Sequence, residues 1–229
     1  MNEYSKFTSF MVWTLIVILV IGISYVSSAK ADLQEAKDVS AKLMSLVVNK
    51  PVRTIENGTI TYSLNDQIHE PPVYGSMIEE LLNNKQTPIT INVVFNHGGY
   101  FDTLKKLVYT INMSNVKVVT IGYGNSAGAM LSCSDAKIFI YPGGKLNFHW
   151  IRIDPGDGTL TNEYVINKYN EFERFLYSTC VKNNVLTIDE VKNMRAMAER
   201  YSPNDIKPFF TLTAEQIKQR VGDKWEEIK

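Results

Sequence analysis

The chain contains little cysteine and little histidine for its 229 residues. Its two cysteines, Cys133 and Cys180, lie far apart in the sequence and form no CxxC pair. Zinc sites and disulfide frameworks are recognised by several cysteines at characteristic spacings, so the sequence predicts neither of them. We expect two buried free thiols instead. A domain of this size can bury a sufficient core without such links.

An excess of charge of either sign is also missing. Lysine and arginine total 24, aspartate and glutamate also total 24, and the formal net charge is zero. Proteins that bind nucleic acid carry basic residues in excess to neutralise phosphates, so this balance argues against a nucleic-acid partner. The sequence contains no P-loop motif and no cluster of metal-ligand residues, so we expect neither a cofactor nor a metal.

One long hydrophobic run lies near the amino terminus. Residues 10–26 contain no charged side chain, and a helix of this length approaches the roughly 30 Å thickness of a bilayer core. We interpret residues 1–29 as a single-pass membrane anchor, residues 30–52 as a stalk or linker, and residues 53–229 as the globular domain. Small residues before Lys30 leave a cleaved signal peptide, and so a secreted or periplasmic protein, as the alternative. Lysines flank the run on both sides, so their count leaves the membrane orientation open.

In the globular part, short β-rich runs alternate with longer helical patterns. Such alternation with short links is typical of βαβ units and a parallel sheet, so the predicted fold class is α/β. Ligand sites in parallel sheets lie at the carboxyl ends of the strands. The predicted elements are strands at residues 59–64, 89–95, 116–121, 137–141 and 209–212, and helices at 73–82, 101–113, 162–200 and from 213, where Thr213 and Gln216 fit a capping box.

Two glycine-rich segments each follow directly on a predicted strand. Residues 124–128 read Gly-Asn-Ser-Ala-Gly, and a serine between small residues at a strand-to-helix turn can expose its Oγ for nucleophilic attack. Gly98 and Gly99 follow the preceding strand, where glycines let backbone N–H groups approach a substrate as an oxyanion hole requires. Each segment alone is equally typical of a tight turn or close helix packing. A serine nucleophile needs a base, and the chain offers three histidines: His69, His97 and His149.

In this order, the segments resemble the proteolytic subunit of the Clp protease. The matching segments are Asn96 to Gly99, Gly122 to Ala129 and Tyr141 to His149. Over roughly residues 59–223, the chain is also similar to secreted or periplasmic Clp-like peptidases and to the signal peptide peptidase A family. The resemblance implies a Clp/crotonase-like fold with repeated ββα and βαβ units, preceded here by the amino-terminal transmembrane helix. It also implies a serine endopeptidase that cleaves peptide bonds in peptides or proteins.

Residue by residue, the resemblance makes Ser126 the nucleophile and His149 the general base. The backbone N–H groups of Gly99 and Ala127 would form the oxyanion hole. A Leu-Thr-Ala stretch near the carboxyl end resembles the family's Leu-Ser-Ala, and counting back from it gives Asp205 as the acid of a Ser-His-Asp triad. The alternatives for the acid are Asn204, Glu199 and a dyad without an acid.

The chain departs from the family beside the paired glycines. Clp subunits usually have Ser-Pro at this point, whereas this chain has Asn96 and His97. We interpret His97 as either a ligand-facing or a surface histidine, and His69, which precedes Glu-Pro-Pro, as a turn residue.

Three other functions fit parts of the pattern. An α/β-hydrolase esterase also uses GxSxG, but its histidine follows the acid, and no histidine follows His149 here. A crotonase-type acyl-CoA enzyme shares the fold without a nucleophilic serine. A catalytically inactive, membrane-anchored scaffold that binds peptides or a partner is the third. By resemblance we expect a homo-oligomer, whereas the amino-terminal membrane segment argues against a docked ATPase.

Overall fold

A computed structural model describes residues 50–153, 161–200 and 210–227. Within these ranges seven strands form one mixed sheet. The strands are β1 (Val52–Glu56), β2 (Thr59–Ser63), β3 (Asp66–Ile68), β4 (Ile89–Gly99), β5 (Val116–Asn125), β6 (Lys137–Phe148) and β7 (Phe210–Thr213). The helices are α1 (Gly75–Asn83), α2 (Phe101–Met113), α3 (Ala127–Met130), α4 (Asn162–Leu176), α5 (Ile188–Arg200) and α6 (Ala214–Val221).

The strands lie in the order β1-β2-β4-β5-β6-β7, and β3 also pairs with β4. The pairs β2–β4, β3–β4, β4–β5 and β5–β6 are parallel. The outer pairs β1–β2 and β6–β7 are antiparallel, so the sheet is mixed and not parallel throughout as predicted. The α/β class is confirmed. Because β4, β5 and β6 run in the same direction, their carboxyl ends meet at one edge of the sheet.

The hydrophobic pattern explains how the helices cover this sheet. On α2 the apolar side chains at helical spacing are all buried: Leu104, Leu107, Val108 and Ile111. On β4, Ile89, Ile91 and Val93 are fully buried and alternate with half-buried Thr90 and Asn92. That strand therefore has one core face and one partly exposed face. In β5 the consecutive residues 119–121 are all buried, which fits the prediction of a strand covered on both sides.

Several element boundaries differ from the prediction. Strand β1 lies at the end of the segment interpreted as a linker, and β4, β5 and β6 each extend beyond their predicted ends. The helical region predicted at residues 162–200 is two helices, separated by a π-helical turn at Tyr177–Val181 and a short loop. The capping box is confirmed, since the Gln216 N–H donates to Thr213 Oγ1 at 3.3 Å and the Thr213 N–H donates to Gln216 Oε1 at 2.9 Å.

Cys133 and Cys180 are joined by a disulfide, so the prediction of two free thiols is wrong. Their Cα atoms lie 4.4 Å apart, and both residues are fully buried. Cys133 ends the short 3-10 turn after α3, and Cys180 lies in the π-helical turn after α4. The pairing could not be read from the sequence because 47 positions separate the two residues, and only the fold brings them together.

The predicted membrane anchor (1–29) and most of the predicted stalk (30–52) lie outside the described residues. In the described ranges, no helix combines the length and the apolar character needed to cross a membrane.

Candidate active site

Ser126 lies at the turn between β5 and α3. Its φ of 54° and ψ of −121° are a conformation that few non-glycine residues adopt. The Ser126 N–H donates to the carbonyl of Asn147 on the neighbouring strand at 2.8 Å, and its own carbonyl accepts the Met130 N–H at 3.1 Å, which begins α3. The turn is close-packed, since a methyl group on Gly124 would lie 2.9 Å from the backbone of Ala129. A serine held at such a strained strand-to-helix turn has the geometry of a nucleophile elbow.

The Gly98–Gly99 turn at the end of β4 lies directly against this serine. Both glycines have positive φ, 107° and 140°, which favours glycine. A methyl group on Gly98 would lie 2.7 Å from Ser126 Cβ, and one on Gly99 would lie 1.9 Å from the Ile68 carbonyl oxygen. The two glycines are therefore required on steric grounds, and their backbone approaches Ser126 as closely as an oxyanion hole needs.

His149 follows the last residue of β6. Its Nδ1 lies 2.7 Å from the carbonyl oxygen of Trp150. A carbonyl oxygen only accepts, so Nδ1 carries the proton and Nε2 is the free acceptor, which is the tautomer that a general base needs. Burial lowers the pKa of His149, although the bond to the Trp150 carbonyl opposes this, so the imidazole is neutral near pH 7.

Trp150 is itself fixed by packing. It is buried, and its ring makes edge-to-face contacts with Phe172 and Tyr169 of α4, at 5.1 and 5.9 Å between centroids. The carbonyl that orients His149 therefore belongs to a well-anchored residue.

One cavity of about 640 Å³ brings the predicted residues together. Ser126, His149, Gly99 and Ala127 all line it. Among the described residues no hydrogen bond joins Ser126 to His149, so the two side chains share a cavity without direct bonding. Much of the wall is apolar, and these side chains form it: Phe101, Leu104, Met130, Ile151, Ile153 and Phe172.

Two charged residues that the sequence analysis did not select also line the cavity: Asp102 of α2 and Lys168 of α4. Lys168 lies 3.6 Å from Asp102 and 3.2 Å from Glu171. Burial favours the neutral amine, but the hydrogen bond to Glu171 and the charge of Asp102 outweigh it and raise the pKa of Lys168. This lysine therefore stays protonated, and His149 is the better candidate base. The only sequence signal was the three-residue spacing of Lys168 and Glu171, which is common on helix surfaces.

The other sequence candidates fall in different places. His97 is exposed and lines the cavity, and its ring contacts that of Phe95 at 4.5 Å between centroids. His69 lies between β3 and the 3-10 turn that precedes α1, as the turn interpretation predicted. Glu199 accepts a hydrogen bond from Arg195 at 3.0 Å on α5. Asp205 and Asn204 lie outside the described residues, so the assignment of the acid remains a prediction.

Comparison with known proteins adds one structural similarity. No family model matches the chain, and no curated protein matches it. A solved structure of a mutant of the 1510-N membrane-bound stomatin-specific protease matches with a TM-score of 0.48 and 17% sequence identity. The match covers 73% of this chain and 78% of that chain. The roles of the residues here therefore depend on the geometry of the site itself.

Proposed function

We propose that this chain is a serine hydrolase of the peptidase type, with Ser126 as nucleophile and His149 as general base. One observation supports this most directly: a serine at a strained strand-to-helix turn lines the same cavity as a histidine whose tautomer leaves Nε2 free. The large, mostly apolar cavity fits the side chain of a peptide substrate better than a small polar molecule.

The reaction follows from these groups. Nε2 of His149 takes the Oγ proton of Ser126 while Oγ forms a bond to the carbonyl carbon of the scissile peptide. The carbonyl oxygen becomes an oxyanion, and the N–H groups of Gly99 and Ala127 stabilise it. The C–N bond then breaks as His149 returns the proton to the leaving amine, and water hydrolyses the acyl-enzyme by the same steps.

Three further parts of the proposal come from the sequence. Asp205 is proposed as the acid that assists His149, residues 1–29 as the membrane anchor, and a homo-oligomer as the assembled form.

The test is covalent labelling of the full chain, in detergent, with a fluorophosphonate probe. We expect a single labelled residue, Ser126, identified by mass spectrometry. Ser126→Ala should abolish labelling, and His149→Gln should slow it by about 10²–10⁴-fold because general-base assistance is lost.

Matched controls are available outside the cavity. Ser76 is exposed on α1 and His69 lies in a turn, so Ser76→Ala and His69→Gln should be labelled like the wild type. A folded wild-type chain that is not labelled would sink the hydrolase proposal and favour the binding scaffold or the acyl-CoA enzyme.

A further inference from the structure

Asn96 is a buried polar residue that lies between the two backbone segments of the proposed oxyanion hole. Its exposed fraction is 0%. It belongs to β4, two residues before Gly98, and it pairs across the sheet with Gly124, just before the nucleophile turn on β5. A fully buried asparagine in the core of a sheet requires an explanation, because an amide is costly to remove from water.

The side chain holds the glycine turn. Asn96 Oδ1 accepts the Gly98 N–H at 2.9 Å, inside the protein. This N–H is therefore already used, and Gly99, the next residue, lines the cavity with its own N–H. Gly98 also packs so closely on Ser126 that any movement of this turn changes its distance from the nucleophile.

The same side chain contacts the helix that begins at the nucleophile. A methyl group on Gly128 would lie 2.6 Å from Asn96 Oδ1 and 2.8 Å from Asn96 Cβ, so the carboxamide lies directly against the backbone of α3. The first residue of α3 is Ala127, which supplies the second proposed oxyanion donor. One buried side chain therefore contacts both halves of the proposed oxyanion hole.

The other end of the amide is not used. Asn96 Nδ2 is buried and has no hydrogen-bond partner among the described residues. An unpaired buried donor costs about 1–3 kcal/mol, so Nδ2 gives the fold nothing in return. The useful group is Oδ1.

We propose that Asn96 is a positioning residue for the oxyanion hole: it holds the Gly98–Gly99 turn against α3 so that the Gly99 N–H meets the developing oxyanion. This inference rests on the proposed function of Ser126. Donors stabilise the transition state only when they lie about 2.7–3.1 Å from the oxyanion. A displaced donor therefore lowers the rate of attack and leaves ground-state binding almost unchanged.

Two variants of the full chain isolate the acceptor, since Asn96→Ala and Asn96→Ser leave spaces of similar size and differ by one oxygen atom. The readouts are kinact and KI for the fluorophosphonate probe. Asn96→Ala should lower kinact about tenfold, a part of the 10²–10³-fold lost when a whole donor is removed, and should leave KI within about twofold. Asn96→Ser should recover most of the lost rate, because a serine hydroxyl can accept the N–H two residues later.

The outcomes separate the two proposals. Equal rate losses in the alanine and serine variants would mean that the space alone matters and would overturn the positioning role, as would an unchanged kinact in Asn96→Ala or a loss confined to KI. An unlabelled wild-type chain would contradict the proposed function, and this inference with it. Thermal unfolding by circular dichroism should give similar midpoints for the two variants, which confirms that their difference in rate does not come from folding.

Discussion

The imidazole of His149 decides the pH dependence of the site. Burial keeps the pKa of His149 below its ordinary value of about 6.5. A general base acts only when neutral, so we expect the labelling rate of Ser126 to stay on its plateau down to a pH below about 6.5 and to fall only in more acid solution. The measurement is the fluorophosphonate labelling rate against pH.

The folded state must be checked across the same range. The folded pKa of His149 lies below its unfolded value, so the unfolded chain binds more protons in acid, and this group lowers stability as the pH falls below about 6.5. Circular dichroism at each pH separates this effect from catalysis. A midpoint at or above about 6.5 in a folded protein would contradict the assignment of His149 as a buried base.

At the scale of elements, the site depends on the close contact of α3 with β4. Because a methyl group on Gly128 would lie 2.6 Å from Asn96 Oδ1, Gly128→Ala must push the helix or the strand aside. We expect a loss of about 1–3 kcal/mol in the free energy of unfolding, the usual cost of overpacking, measured by urea denaturation.

Gly75→Ala is the matched control. Gly75 begins α1 in a helical conformation, and a methyl group there would meet nothing within 4 Å. The same substitution should stabilise the protein there by about 0.4–1 kcal/mol, because alanine restricts the unfolded chain. Equal effects at the two positions would contradict the close packing described for α3.

The sequence was sufficient for the central elements and for the edge at which they end. Helix α2 was predicted to the residue because its apolar spacing was regular, and the capping box at Thr213 was correct because it is a local pattern. The antiparallel pairings of β1 and β7 were missed, since their partners are set by the whole sheet.

The site was predictable only where local chemistry marked it. Ser126 and Gly99 could be selected because small residues at strand ends are visible in the sequence. Lys168 and Asp102 could not, because they meet at the cavity only after α2 packs against α4. The role of Asn96 depends on a contact with Gly128 that no pattern reveals.

At the scale of the whole molecule, the disulfide links two helical segments that border the site. Joining Cys133 to Cys180 closes a long loop in the unfolded chain. Replacing both cysteines by alanine should cost about 2–4 kcal/mol in the free energy of unfolding, measured by urea denaturation. The double variant should be insensitive to dithiothreitol, whereas the wild type should lose the same stability once it is unfolded and reduced. Two titratable thiols in protein produced under oxidising conditions would contradict the bond.

The same bond bears on where in a cell the domain matures. Disulfides persist in oxidising compartments and are rare in the cytosol, where thiols are kept reduced. If residues 10–26 cross a membrane, the amino terminus then faces the cytosol and the domain lies on the far side, which the flanking lysines left open. A preparation made in a reducing cytosol would lack the covalent link behind the nucleophile helix. Negative activity results from such material would not count against the enzyme.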